Sequence, residues 1–184
     1  MNVNISRGVA AVALIAFAVV TRLLPHQANF TAAAAVTLVA AGYLGWRWGM
    51  LVGLAGMVVS NFIIGGYALP VMLSVYGSFV VMAWLGACIR RHGAVRWERV
   101  VLASLGGSTL FYLVTNYAVW QFTPLYPTTG AGLLSSYVAA LPFFRNTLVG
   151  DLVFTSVMFG AVEAVRARRS LRKPVLAPLP LARQ

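Results

Sequence analysis

Cysteine is almost missing: Cys88 stands alone in 184 residues, which excludes an internal disulfide framework and any multi-cysteine metal cluster. Acid is nearly as scarce, with three Asp and Glu against fourteen Lys and Arg and a formal net charge of +11. In a soluble chain that imbalance would point to nucleic acid. Here most of the arginines lie between or after apolar runs, so a membrane surface explains them better, and no nucleic-acid partner is expected. Lysine is confined to Lys173, which precedes Pro174. There is accordingly no G-x-x-x-x-G-K-[ST] phosphate loop, and ATP hydrolysis by that route is excluded. No H-E-x-x-H occurs, and neither His26 nor His92 has a metal-ligand partner at helical spacing, so no metal or cofactor is expected. A serine nucleophile would need a base; His26 is the one candidate, but no G-x-S-x-G accompanies it. The chain is read as a non-enzyme.

Apolar residues fill the space. They make up 60% of the chain, charged residues only 9%, and the mean hydropathy is +0.84, whereas soluble domains carry roughly 25% charged residues. A helix needs about 20 mostly apolar residues to cross a hydrocarbon core of roughly 30 Å. Six segments come close: Gly8 to Leu24, Phe30 to Trp46, Trp48 to Ile64, Val71 to Ile89, Val100 to Phe122 and Thr147 to Val165. The second and third are separated only by Arg47. Read as one helix they would reach about 52 Å, so we read two short spans joined by a tight hairpin over Gly45 to Gly49, with Trp46 and Trp48 as interfacial anchors. Residues 1–18 also resemble a signal peptide, with Ala16-Phe17-Ala18 as a cleavage site, but a first transmembrane helix serves the five following spans better. The expected fold is an all-α, polytopic bundle of six transmembrane helices.

The positive-inside rule gives the orientation. With both termini inside, the cytoplasmic side collects Arg7, Arg47, Arg90, Arg91, Arg96, Arg99, Arg166, Arg168, Arg169, Arg172, Lys173 and Arg183, and the outer side keeps Arg22 and Arg145. Residues 1–170 then form the transmembrane domain in the bacterial cytoplasmic membrane, and 171–184 a basic, proline-containing cytoplasmic tail.

Ionisable and amide side chains inside a bilayer are costly and need partners or a purpose. On this topology most lie toward the outside: Arg22, Asn61, Tyr76, Asn116 and Asp151, joined by His26 and Asn29 in the first outer loop and Arg145 near the last. Tyr112, Asn116 and Trp120 repeat at i, i+4, i+8, as do Thr147, Asp151 and Thr155, so each set shares a helix face. An amide between aromatics facing a carboxylate between hydroxyls is a suitable lining for an outward-opening pocket. The plainer readings are an ion pair of Asp151 with Arg145 or Arg22, amide bridges between helices at Asn61 and Asn116, and simple packing at Tyr112 and Trp120. The apolar piece Leu133 to Leu141 is too short to cross and is read as a surface segment or lid. Cys88 sits at the other end.

Three stretches carry a family resemblance. Arg22-Leu-Leu-Pro-His26-Gln-Ala-Asn29-Phe-Thr31, Thr115-Asn116-Tyr-Ala-Val-Trp120 and Pro142-Phe-Phe-Arg145-Asn-Thr-Leu-Val-Gly-Asp151 resemble the R-L-L-P-H-x-x-N-F-T and related motifs of a group of uncharacterised bacterial membrane proteins classed with transporters. That group is similar to the substrate-binding S-components of energy-coupling-factor (ECF) transporters, six-helix proteins that bind vitamins or metal ions from outside. The resemblance implies uptake of a small vitamin-like molecule by His26, Asn29, Asn61, Tyr76, Asn116, Trp120, Arg145 and Asp151. Arg145 and Asp151 would fix the lid or contact polar ligand groups, and Tyr76 and Trp120 would stack on a ring. It also implies a transmembrane coupling protein with two ATPases as partner. The A-x-x-x-A docking patch of many S-components is absent from the first span, which has Ala10, Ala13 and Ala16 at i, i+3 spacing instead. A solitary cobalamin S-component, which uses a cysteine on cobalt, is similar too, but Cys88 is at the wrong end for that role. The alternative is a non-transport scaffold subunit of a membrane complex, held through the arginines of 90–99.

Overall fold

The structure, a computed structural model, describes residues 3–91 and 94–171. The order is α1 (Val3–Leu23), α2 (Ala33–Leu44), α3 (Trp46–Ile64), α4 (Leu69–Ala87), β1 (Arg90–Arg91), β2 (Ala94–Val95), α5 (Trp97–Phe122) and α6 (Gly130–Leu171). Five of the six helices among the described residues are long and apolar enough to cross a hydrocarbon core, and α2 is a shorter apolar helix. Val9, Phe62, Trp84, Leu102 and Val157 are among many large apolar side chains left exposed. A water-soluble domain exposes few contiguous apolar surfaces of this kind. The chain is a polytopic, all-α membrane protein, and the antiparallel β1–β2 ladder pairing Arg90 with Val95 and Arg91 with Ala94 is a small addition between α4 and α5. The tail assigned to 171–184 lies, from residue 172 onward, outside the described residues.

The bundle is organised around α2. Its 12 residues reach only about 18 Å, and such a helix is tolerated at membrane depth only where protein encloses it. It is so enclosed: residues 33–41 are all buried, and α2 packs on α1, α3, α4, α5 and α6. The expected hairpin is present but tighter than the sequence implied, since Gly45 alone ends α2 and begins α3. Its φ of 105° lies where a side chain is strained. Small residues then let the helix backbones close together, as in membrane helix pairs generally. A methyl group on Gly49 would lie 2.8 Å from the Ala41 Cα, and one on Gly86 2.8 Å from the Leu38 Cα.

Two boundaries differ from the sequence reading. The second span begins at Ala33 rather than Phe30, because Phe30 turns aside to pack on Phe154 at 5.4 Å between ring centroids and beside Gly150. The piece Leu133 to Leu141 is no separate lid. It is the start of the 42-residue α6, which runs through Pro142 and extends about 63 Å. Tyr137 and Tyr112 bind this first part to α5, the Tyr112 hydroxyl donating to the Tyr137 carbonyl at 2.7 Å and the Tyr137 hydroxyl to the Leu113 carbonyl at 2.9 Å.

The two ends of the bundle differ in chemistry. At one end the Tyr43 ring lies under both Arg90 and Arg166, with guanidinium carbons 4.8 and 4.5 Å from its centroid, and its hydroxyl donates to Glu163 at 2.7 Å. Arg99 donates to the Cys88 carbonyl beside it, and Arg96 pairs with Glu98. Arg22, His26 and Asn29 gather at the other end.

Candidate functional site

At the end away from the arginine cluster, a cavity of about 250 Å³ lies between α1, α2, α3, α4, α5 and α6. One helix and one loop give it its polar rim. Arg22, in the last turn of α1, reaches across to α3, donating from Nη2 to the Asn61 Oδ1 at 3.1 Å and from Nη1 to the Met57 sulfur at 2.6 Å. Its Nε is buried with no hydrogen-bond partner. The chain then leaves α1 through the loop of residues 24–32, where His26, Asn29 and Thr31 line the cavity. Asn29 takes a φ of 64°, a left-handed conformation that asparagine accepts more readily than most residues. Asn146 on α6 holds the loop down by donating to the Ala28 carbonyl at 3.0 Å.

The floor is apolar with one exception. Ala34, Met57, Val75, Phe79, Met82 and Phe111 supply it, and Phe79 meets Phe111 edge-on at 6.2 Å. The exception is Asp151, only 3% exposed, which accepts a hydrogen bond from the Ser108 hydroxyl at 2.6 Å. Neither Arg22 nor Arg145 pairs with it: the ion pairs among the described residues are Arg96–Glu98 and Arg166–Glu163. Arg145 is exposed, and six residues along one helix place it on another face from Asp151. The ion-pair reading of Asp151 is thereby corrected.

A second cavity of about 110 Å³ sits between α5 and α6, sharing Asn29, Phe111 and Thr147 with the first. Asn116 and Tyr112 line it, with the Asn116 amide donating to the Tyr112 carbonyl at 2.8 Å and Tyr112 stacked on Phe144 at 4.5 Å.

The structure therefore distributes the sequence-selected residues unevenly. His26, Asn29 and Asp151 line the larger cavity and Asn116 the smaller. Asn61 and Tyr76 stand behind the rim: Asn61 holds Arg22 and donates to the Tyr76 hydroxyl at 3.4 Å. Trp120 lines neither cavity, because its indole donates to the Pro127 carbonyl at 2.9 Å and closes the α5–α6 connection. Sequence reasoning passed over Ser108 and the aromatic floor of Phe79 and Phe111. Ser108 was findable from Ser104 and Ser108, spaced one turn apart on an otherwise apolar run, but nothing in the sequence says which helix faces Asp151.

Comparison with known proteins agrees with a membrane assignment. No solved structure matches the chain. The inner membrane-spanning protein YciB of Polaromonas naphthalenivorans (strain CJ2) is 29% identical over 112 residues, covering 58% of this chain. The chain spans about half the length of that relative, 52%. From residue 3 to residue 176 the sequence matches a single family, and the chain belongs to that family of unknown function, DUF6580.

Proposed function

We propose that the protein captures a small molecule from the outer side of the bacterial inner membrane, as the substrate-binding member of a transport system of the ECF S-component kind. One observation supports this above all: a cavity with a polar rim and an aromatic floor at the end of the bundle opposite the arginine cluster. By the positive-inside rule, that arginine end is cytoplasmic and both termini face inward. The YciB relative is itself named as an inner membrane-spanning protein. The absence of a phosphate loop from the sequence leaves energy supply to a separate coupling protein with two ATPases. Ala13 and Ala16, exposed on α1, are the small-residue surface available to it.

The lining sets the ligand class. A volume of about 250 Å³ is below the range of drug-sized sites, roughly 300–1,000 Å³, so a corrinoid does not fit and a compact single-ring, vitamin-like molecule does. Phe79 and Phe111 would take its ring. The Arg22 guanidinium at the rim would take an acceptor group, and His26 and Asn29 would close over it. No step of bond chemistry is required of the protein. The test is mass spectrometry of small molecules released from the purified protein, compared with an Ala34→Phe variant that fills the cavity. A ring compound released from the wild type and missing from the variant is the expected result; identical small-molecule profiles would contradict it.

A further inference from the structure

Asp151 is unusual among the three acids of the chain. Glu98 pairs with Arg96, and Glu163 has Arg166 at 3.6 Å and the Tyr43 hydroxyl at 2.7 Å. Asp151 has no cationic side chain beside it among the described residues, in a sequence with fourteen Lys and Arg. It is also the most buried of the three. An ionised carboxylate held away from water needs a counter-charge or a proton.

Two further oxygens lie just inward of it. Moving along α5 from Ser108 toward the arginine end leads to Ser104, and moving along α6 from Asp151 in the same direction leads to Thr155. Each step is four residues, one helical turn on the same face. The Ser108–Asp151 hydrogen bond fixes the rung above. Below, Phe159 of α6 packs in one cluster with Val100 and Ala103 of α5. Ser104 and Thr155 thus lie one turn further inward on the same two helix faces that carry Ser108 and Asp151. Ser104 and Thr155 are 1% and 0% exposed, and both hydroxyl oxygens are buried without a hydrogen-bond partner. Buried hydroxyls in helices are ordinarily satisfied, as Thr37 is by the Ala33 carbonyl at 2.9 Å.

We propose that Asp151, Ser108, Ser104 and Thr155 form a binding site for a small monovalent cation of the sodium type, reached from the cavity that Asp151 lines. Hard cations take oxygen ligands, and a single carboxylate matches a single positive charge, whereas divalent sites recruit several carboxylates or retain much of their water. A proton on Asp151 would neutralise the carboxylate but leave the Ser104 and Thr155 oxygens as they are. A coordinated cation accounts for the missing counter-charge and the two orphaned hydroxyls together. The site rests on this geometry alone and stands whether or not the cavity captures an organic ligand.

The test uses the full chain, purified in detergent without added organic ligand. Its unfolding temperature is followed as sodium chloride replaces choline chloride at constant ionic strength. The expected result is a saturable rise of at least about 3 °C, as binding to the folded state alone produces. Asp151→Asn should abolish the rise. The near-isosteric Thr155→Val keeps the site testable should Asp151→Asn fail to fold, and it should move the half-saturating sodium concentration upward about tenfold. A wild-type protein indifferent to the exchange, a full sodium response in Asp151→Asn, or an unchanged midpoint in Thr155→Val would each overturn the site.

Discussion

Arg22 at the end of α1 donates to Asn61 of α3 at 3.1 Å, and the Asn61 amide in turn donates to the Tyr76 hydroxyl of α4 at 3.4 Å. Three helices are thus held at the cavity rim by one guanidinium and one amide. Asn61 is buried, so Asn61→Ala strands a partly buried donor and should destabilise the protein by about 1–3 kcal/mol. Arg22→Lys should not restore the contact geometry, because an ammonium lacks the fork that reaches Asn61 and Met57 together. Thermal unfolding in detergent measures both effects; an unchanged Asn61→Ala protein would show that the chain of contacts is dispensable.

The glycines of the α2 contact make a sharper structural prediction. Gly49→Ala places a methyl group against the Ala41 backbone, which cannot swing aside. Overpacking of this kind costs about 1–3 kcal/mol. Gly77 on α4 has nothing within 4 Å of an added methyl, so Gly77→Ala should be neutral or slightly stabilising, by up to about 1 kcal/mol. Comparing the two unfolding temperatures separates close approach from glycine content. Equal shifts would contradict the packing.

Much of this fold was legible in the sequence, and its gaps have physical causes. Long apolar runs marked α1, α3, α4 and α5 because a lipid-facing helix must be apolar along its length. The turn at Gly45 was legible because Arg47 and the tryptophans interrupt two runs that together overshoot a bilayer. The limits of α2 were not, since a helix enclosed by protein has no lipid thickness to match and Phe30 could pack on Phe154 instead of extending it. The continuity of α6 was hidden by Pro142, which removes one backbone donor without ending a helix held by Tyr112 and Tyr137. At the cavity, depth along each span placed His26, Asn29 and Asp151 near one another. Depth says nothing about rotation, which is why Trp120 and Arg145 were grouped with them and Ser108 and Phe111 were not.

At the arginine end, Tyr43 ties α2 to α6 through Glu163, with Arg90 and Arg166 on its ring. Tyr43→Phe keeps the ring and loses only the hydroxyl bond, at a cost of about 0.5–1.5 kcal/mol for a typical hydrogen bond. Tyr43→Ala loses the cation–π contacts as well, each worth about 0.5–2 kcal/mol, so its unfolding temperature should fall clearly further. Equal falls in the two variants would show that the ring contacts contribute nothing.

Sidedness is where the capture account is most exposed. With Cys88 changed to serine and His26→Cys introduced, a membrane-impermeant maleimide applied to intact cells made permeable only at the outer membrane should label the protein. An Arg96→Cys counterpart should react only after the inner membrane is opened. Labelling of residue 26 from the outside and of residue 96 from the inside is the predicted result. The reverse pattern would place the cavity on the cytoplasmic face and contradict capture from outside.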